Sequence, residues 1–304
     1  MEISNFFFYL KWILAKKTFN FWQWLGFHVT LNNYSGPIPD TRSLNKKIWD
    51  TPSDLIGIDM NVDKQLELLT VFQERFKNEY DLFPRSQTNK PSEYYVNNGQ
   101  FVSVDGEILY CMVRFFKPKN ILEIGSGNST YLSAQAILKN KEIDSFYECN
   151  LTAIEPYPNA ILKKGFSGLS ELKIKKIEDV PLSEFEKLKE NDILFIDSSH
   201  VMKIGSDVQY ELLEILPRLN KGVIVHFHDI FLPSEYLKEW VMTEHRFWNE
   251  QYLLQAFLLY NDSFKVLWGG AFMHLMQSNR LKDAFSSYDP FTTRPGSFWI
   301  QRIR

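Results

Sequence analysis

Residues 121–130 (ILEIGSGNST) combine the residue types of a ligand-binding turn. An apolar strand that carries Glu123 runs into a turn with Gly125 and Gly127, and a helix is predicted to follow. Glycine lets the backbone approach a ligand where a Cβ atom would clash. Such a turn after the first strand of a doubly wound sheet is also where nucleotide-like ligands bind. Taken alone, the pattern fits an ordinary tight strand-to-helix turn equally well.

The same turn departs from two other nucleotide-binding patterns. A dinucleotide fingerprint has a third glycine about three residues further on, where Thr130 stands. A phosphate loop has a Gly-Lys-Ser/Thr sequence, which is absent here. An NAD-linked oxidoreductase is therefore a disfavoured alternative.

Acidic residues recur where the next three predicted strands end. The second strand ends at Glu155, the third in a segment that contains Asp179, and the fourth at Asp197. Because the carboxyl ends of parallel strands meet at one edge of a sheet, these carboxylates are expected to converge there. A carboxylate on the second strand could accept hydrogen bonds from both hydroxyls of a ribose, and it would repel a phosphorylated ribose.

The elements that must position these residues follow a regular alternation from about residue 118. Short apolar runs predict strands, helical spacing predicts helices between them, and this alternation is typical of a parallel sheet covered on both faces. Two late segments could complete the sheet as edge strands. The predicted strands are 120–124, 151–154, 172–177, 192–196 and 222–225 with 264–268 and 297–303 at the edges, and the predicted helices are 62–80, 104–116, 129–138 and 207–216. We therefore expect an α/β fold with a doubly wound, mostly parallel, Rossmann-like sheet and an N-terminal helical extension.

Together these motifs resemble those of the class I S-adenosylmethionine-dependent methyltransferases, over about residues 100–270. Within that superfamily, the fourth and fifth strand tips resemble the small-molecule O-methyltransferase branch that includes catechol and macrolide-sugar enzymes. The resemblance implies that residues 125–127 pass under the methionine part of the cofactor, Glu155 holds the ribose, Asp179 the adenine amino group, and Asp197 lies near the methyl group. The cofactor-binding set it implies is Glu123, Gly125, Ser126, Gly127, Ser129, Thr130, Glu155, Pro156, Asp179, Val180, Asp197 and Ser198.

The fifth strand tip, residues 226–229 (HFHD), suggests a metal site. In the resembled branch, carboxylates from the fourth and fifth tips bind a magnesium-type ion, and Asp197 and Asp229 match those positions. His228 stands where an oxygen ligand is more usual, and Ile230 where catechol-type enzymes place an asparagine. An imidazole ligand would shift the preference from magnesium toward manganese, iron or zinc. We expect Asp197, His228 and Asp229 to bind a divalent ion, magnesium or manganese.

Two alternatives to a metal remain open. His200 or His228 could act as a general base on an acceptor hydroxyl, or both could be structural histidines with satisfied hydrogen bonds. The expected catalytic residues are His200, His228 and Asp229.

Composition limits the partners and the cellular location. The 304 residues carry a net charge of −3 and only two cysteines, so we expect no nucleic-acid partner, no disulfide framework and a cytoplasmic protein. We divide the chain into an aromatic-rich helical or loop extension at 1–100 and a cofactor-binding domain at 101–304. The extension is too polar to span a membrane. It is expected to pack on the domain or on a second subunit of a homodimer, or to make a weak membrane-surface contact.

The sequence thus predicts methyl transfer from S-adenosylmethionine to a small-molecule acceptor, at an oxygen rather than a nitrogen. The alternative from another class is a protein that binds a nucleoside or S-adenosylmethionine without transferring a methyl group.

Overall fold

The computed structural model describes residues 3–304. The α-helices are α1 (Ile3–Trp24), α2 (Val62–Tyr80), α3 (Asp105–Phe116), α4 (Asn128–Ile143), α5 (Ala160–Lys164), α6 (Leu182–Phe185), α7 (Asp207–Tyr210), α8 (Lys238–Met242), α9 (Glu250–Leu258), α10 (Gly270–Met276) and α11 (Ser278–Ala284). The strands are β1 (Asn120–Ile124), β2 (Asn150–Ile154), β3 (Glu171–Lys173), β4 (Ile193–Ile196), β5 (Ile224–Phe227), β6 (Phe264–Gly269) and β7 (Phe298–Arg302). Helix α7 continues as a π-helical turn, Glu211–Ile215, and a 3-10 turn, Leu216–Arg218.

The seven strands form one sheet in the order β3-β2-β1-β4-β5-β7-β6. The first five strands are parallel, and β7 runs antiparallel to both β5 and β6. This order confirms the predicted doubly wound, mostly parallel sheet. Of the two late strands, only β6 lies at the edge, because β7 inserts between β5 and β6.

Two apolar layers cover the sheet, one on each face. Strand β4 is buried along its whole length. Its residues Ile193 and Phe195 contribute to the core that α2, α3 and α4 complete, whereas Leu194 and Ile196 contribute to the opposite core. Alternate side chains point to opposite faces, so a strand that is apolar at every position must be covered on both sides.

The register of the parallel strands brings their carboxyl ends level. The amide of Asp197 donates to the carbonyl of Ile124 (2.9 Å), and the amide of His228 donates to the carbonyl of Ile196 (3.0 Å). The amide of Gly125 donates likewise to the last carbonyl of β2 (3.0 Å). The ladder therefore continues one residue beyond each strand and fixes the predicted site residues side by side.

The third strand is shorter than predicted. It ends at Lys173 rather than residue 177, and residues 177–179 form a 3-10 turn. Three lysines fall at 173, 175 and 176, and charged residues on a short edge strand are a common protection against edge pairing. Strand β5 begins at Ile224, two residues later than predicted, because Gly222 adopts a left-handed turn conformation with φ of 88°.

The described chain divides into two compact units. One comprises residues up to Asp50 together with Leu237–Phe247, and the other comprises Thr51–Tyr236 with Trp248–Arg304. Helix α1 confirms the predicted N-terminal helix. The boundary predicted at residue 100 falls inside the larger unit and stays a prediction, as do the homodimer and the cytoplasmic location. Within residues 3–304 we find no helix with the length and apolarity needed to cross a bilayer.

Gly125 is required by a contact inside the protein. Its φ of 81° lies in the left-handed region, and a Cβ atom there would stand 2.0 Å from the backbone carbonyl oxygen of Asp197. The sequence suggested that this glycine makes room for a ligand. The structure shows that it lets the ends of β1 and β4 approach each other.

We predict that Gly125→Ala lowers the free energy of unfolding by about 2–4 kcal/mol, since a left-handed alanine costs about 1 kcal/mol and the clash adds about 1–3 kcal/mol. Gly99→Ala is the matched control, because Gly99 has a φ of 79° and no atom lies within 4 Å of its added Cβ. Urea denaturation of both variants measures the difference. Equal losses would show that the contact with Asp197 relaxes without cost.

Candidate functional site

Glu123 shapes the glycine-containing turn from below. Its side chain is fully buried in β1, and its Oε1 accepts hydrogen bonds from the hydroxyls of Ser129 (2.6 Å) and Thr130 (3.0 Å). The Thr130 hydroxyl oxygen in turn accepts from the amide of Gly127 (2.9 Å). These bonds tie β1, the turn and the first residues of α4 into one rigid unit.

Burial raises the pKa of Glu123 to about 8, against the opposing effect of the Ser129 and Thr130 hydroxyls. Its second oxygen, Oε2, is buried and has no hydrogen-bond partner, and the hydroxyl of Ser126 is in the same state. Buried polar atoms are nearly always paired. The unpaired hydroxyl of Ser126, in the partly buried turn, is therefore available to a polar ligand.

A cavity of about 430 Å³ opens at the carboxyl edge of the sheet. Its volume lies in the range of small-molecule sites. Its lining includes five residues of the predicted cofactor-binding set. These are Gly125, Glu155, Pro156, Asp197 and Ser198.

Glu155 lies at the end of β2, where the sequence predicted the ribose-binding carboxylate. Its side chain is partly buried, and its Oε1 accepts from the amide of Tyr157 (2.7 Å). Its own amide donates to the carbonyl of Lys173 (3.0 Å), which fixes the start of the loop. The backbone thus positions this carboxylate at the wall of the cavity.

The remaining predicted cofactor residues do not line this cavity. Glu123, Ser129 and Thr130 lie buried beneath the turn. Asp179 is exposed, and the buried Val180 accepts a hydrogen bond at its carbonyl from the Tyr210 hydroxyl (2.9 Å).

Several lining residues were not predicted from the sequence. Glu178, next to Asp179, lines the cavity, and so do Lys176, Lys203 and Asp207. Lys203 and Asp207 belong to the loop after β4 and the first turn of α7. The position of that loop after a strand was the only sequence signal available.

A second group of side chains lies beside the cavity and shares Asp197 with it. Nε2 of His200 is 3.3 Å from Oδ1 of Asp197 and 3.5 Å from Oδ2 of Asp229. Nδ1 of His228 is 3.5 Å from Oδ2 of Asp197 and 3.6 Å from Oδ2 of Asp229. The structure therefore brings together all four residues predicted for catalysis or metal binding.

Two further carboxylates face the outer nitrogens of these histidines, and of the two only Glu250 is within hydrogen-bond distance. Nδ1 of His200 is 2.9 Å from Oε2 of Glu250, and Nε2 of His228 is 3.7 Å from Oδ2 of Asp105. Glu250 and Asp105 are almost fully buried. Sequence reasoning missed both, because each falls in the first turn of a helix, where acidic residues are common for reasons of the helix dipole.

The third histidine, His226, has a structural role. It is fully buried, stacks on Phe195 at 3.9 Å between ring centroids, and its Nε2 lies 2.9 Å from the hydroxyl of Ser297. Burial lowers the pKa of this imidazole well below its ordinary value. A neutral ring held in this way extends the core.

The electrostatics of the acidic group are dominated by burial and by the two histidines. Burial disfavours the charged form of His200, but Asp197 and Glu250 outweigh it and raise the pKa of that imidazole to about 10. Burial also opposes the charged form of Asp197, and His228 and His200 outweigh it and lower the pKa of that carboxyl. For Asp229 burial prevails, and the pKa is raised.

The geometry suits one divalent cation. Asp197, His200 and Asp229 each offer a ligand atom, and these atoms all lie within 4.8 Å of one another. Ligand atoms around one octahedral ion at about 2.1 Å are separated by about 3–4 Å, as the distances here allow. This set has His200 in place of the predicted His228. His200 also has the outer carboxylate partner, Glu250, that metal-bound histidines almost always show.

Two residues of this group are among the eight non-glycine residues in the described chain that have a left-handed backbone. His200 and Asp229 have φ values of 59° and 56°, in the left-handed region that non-glycine residues rarely adopt. Such strain costs about 1–3 kcal/mol at each residue and persists where function requires a particular side-chain direction.

Comparison with known proteins identifies a methyltransferase domain in this chain. The sequence pattern of a family described as "Methyltransferase domain" matches residues 122–230, from β1 to just after β5. A protein of Archaeoglobus fulgidus is 33% identical over 173 residues, which is 53% of this chain and 74% of that protein, and it is itself uncharacterised. This chain belongs to the class I S-adenosylmethionine-dependent methyltransferases. The matched region of the methyltransferase contains the glycine-containing turn and the Asp197, His200, His228 and Asp229 group.

Solved structures similar to the methyltransferase include an O-methyltransferase from Bacillus cereus in complex with SAH, at 14% identity and a TM-score of 0.37. The match covers 80% of this chain and 91% of that one. A second is CmcI in an apo structure, at 13% identity and a TM-score of 0.37, with coverage of 73% and 89%.

We predict that the stability of the methyltransferase depends on the ionisation of Glu123. Between pH 5 and pH 8 the unfolded chain has lost this proton while the folded protein keeps it, so wild-type stability falls as the pH rises. Glu123→Gln has no such proton. Relative to wild type, its free energy of unfolding should therefore rise by about 2–4 kcal/mol across this range.

Urea denaturation at both pH values measures the effect, with the exposed substitution Glu148→Gln as control. Parallel pH profiles for wild type and Glu123→Gln would contradict the raised pKa of Glu123.

Proposed function

We propose that this methyltransferase transfers the methyl group of S-adenosylmethionine to a hydroxyl oxygen of a small molecule, assisted by a divalent cation. The position of Asp197 carries the proposal. It lines the cavity with Gly125 and Glu155, and its carboxylate lies 3.3–3.5 Å from ring nitrogens of His200 and His228. A methyl donor in the cavity and an acceptor at the acidic group would therefore meet beside one side chain.

The residues around the cavity fit the methyl donor. S-adenosylmethionine supplies the electrophilic methyl group when it is bound. Glu155 offers a carboxylate to ribose hydroxyls, and the unpaired hydroxyl of Ser126 in the partly buried turn offers a hydrogen-bonding position to the polar methionine end. The bonds from Ser129 and Thr130 to Glu123 hold this end of the cavity in shape before the cofactor arrives.

The donor set at Asp197, His200 and Asp229 fits manganese better than magnesium, because its two carboxylates suit both ions and its imidazole shifts the preference away from magnesium. A bound cation would lower the pKa of an acceptor hydroxyl and fix its position. Glu250 accepts from Nδ1 of His200 and so keeps Nε2 directed at the two aspartates. Glu250 therefore orients His200, and Nε2 of His200 is the atom that would bind the cation.

Methyl transfer to a hydroxyl also leaves a proton to be removed, and His228 is placed to hold it. It is not part of the proposed ligand set, and its Nδ1 faces both Asp197 and Asp229. Burial disfavours a charged His228, but Asp229 and Asp197 outweigh burial and raise the pKa of its imidazole above the ordinary value. A divalent cation bound by these two carboxylates would offset this effect and leave the ring without a proton, as it must be to accept the one from the hydroxyl.

An oxygen acceptor fits this arrangement better than an amine. A hydroxyl is a weak nucleophile until it loses its proton, and activation by an adjacent base or by a metal is the usual remedy. A neutral amine attacks without such help. The two histidines and four buried or partly buried carboxylates of this site can supply both the cation ligands and the base that a hydroxyl requires.

We predict that two substitutions separate the halves of this site. Glu155→Ala should weaken S-adenosylhomocysteine roughly 10–100-fold, the loss expected for hydrogen bonds to a charged group. Asp229→Asn should leave that affinity unchanged within about twofold while abolishing methyl transfer. Calorimetry measures affinity, and transfer of a labelled methyl group to a metabolite extract measures activity, with Glu171→Ala on the exposed edge of the sheet as control.

The response to chelation completes the experiment. Excess EDTA should reduce wild-type transfer to the level of Asp229→Asn, and manganese or magnesium should restore the wild type alone. Full wild-type activity in EDTA would contradict the role of a metal. If His200→Ala and His228→Ala were then inactive, the result would support base catalysis by these histidines. Tight binding of S-adenosylhomocysteine with no transfer to any acceptor would favour a binding protein.

A further inference from the structure

The N-terminal helix α1 exposes apolar side chains to solvent, and four of the most exposed lie on one side of it. Leu10, Leu14, Phe21 and Trp24 are between 52% and 79% exposed. At 3.6 residues per turn their side chains fall within an arc of roughly 80°. Contiguous exposed apolar surface on a globular protein usually marks a binding surface.

The charge of this segment is one-sided. Residues 3–39 contain Lys11, Lys16 and Lys17 and not a single aspartate or glutamate, although the whole chain is acidic. Lys17 lies within the apolar arc, and the other two lysines flank it on either side. Long lysine side chains can lie along an apolar surface while their ammonium groups reach outward, so the face combines apolar insertion with positive charge.

The chain immediately after α1 extends the same character. Gly26 turns the backbone with a φ of 84°, and the amide of Phe27 donates to the carbonyl of Trp22 (2.9 Å), which holds Phe27 beside the helix end. Phe27 is 62% exposed, and Tyr34 is fully exposed. Aromatic residues with interleaved lysines are typical of segments that lie at a lipid–water interface.

We propose that the α1 face, defined here as Leu10, Leu14, Phe21, Trp24 and the three lysines, docks on an anionic lipid surface. The helix would lie in the plane of the headgroups, with its apolar residues inserted and its lysines paired with lipid phosphates. This proposal concerns the smaller unit and is independent of the methyl-transfer proposal.

Charge favours lipid over a second copy of the chain as the occupant. A twofold contact places the same surface on both partners. Two such faces would bring six lysines together, and residues 3–39 offer no acidic residue to neutralise them. Anionic headgroups supply the missing negative charge.

Co-sedimentation of the full chain with phosphatidylcholine vesicles, with and without phosphatidylglycerol, tests this proposal. The chain should bind only the vesicles that contain phosphatidylglycerol, and added salt should weaken that binding. Phe21→Ser/Trp24→Ser and Lys11→Gln/Lys16→Gln/Lys17→Gln should each weaken it at least about tenfold. Phe146→Ser is the matched control, because Phe146 is 95% exposed but lies in the larger unit.

Affinity for S-adenosylhomocysteine, measured on every variant, verifies that the larger unit remains folded. If the serine variant is unstable, the lysine variant still tests the proposal, because it leaves the apolar residues unchanged. Absence of binding to the anionic vesicles would overturn the proposal. A second result would also overturn it. In that case the wild-type chain does not bind lipid but forms a dimer, seen by light scattering, and Phe21→Ser/Trp24→Ser makes this dimer dissociate.

Discussion

The contact between Gly125 and the backbone carbonyl of Asp197 is the constraint on which the site depends. Only a residue without a Cβ atom lets the ends of β1 and β4 come this close, since the added atom would lie 2.0 Å from that carbonyl oxygen. The helices that follow these two strands lie on opposite faces of the sheet, and a crevice opens between them. The backbone contact therefore positions the cavity and the first carboxylate of the acidic group together.

Asp197 takes part in two environments because of this placement. Its neighbours in the cavity are polar and partly open to solvent, whereas its neighbours on the other side are two buried histidines with their own carboxylate partners, Glu250 and Asp105. Carboxylates packed together without a cation repel, and some take up protons. The raised pKa of Asp229 and the lowered pKa of Asp197 show that the two carboxyls differ in how readily they hold a proton. A divalent cation would remove the repulsion between the two carboxylates.

The sequence predicts the strand-tip residues well, because a period of two, a helical period and a glycine turn are local signals. Asp197, His228 and Asp229 could be brought together because the resemblance to the methyltransferases implies that the fourth and fifth strands are neighbours. The outer partners could not, since Glu250 arrives from a helix 50 residues after His200, and its acidic side chain at a helix start has an ordinary local explanation. Likewise, nothing local distinguishes Glu178 from Asp179; the short edge strand β3 and the turn after it decide which of the two faces the cavity.

Anomalous diffraction from crystals grown with manganese and S-adenosylhomocysteine would show whether Asp197 serves both the ion and the cofactor, because it locates the two independently of activity. We predict one manganese peak bounded by Asp197, His200 and Asp229, with the cofactor product in the cavity that Gly125 and Glu155 line. A cofactor in that cavity with no manganese peak near Asp197 would contradict the claim that this residue serves both halves of the site.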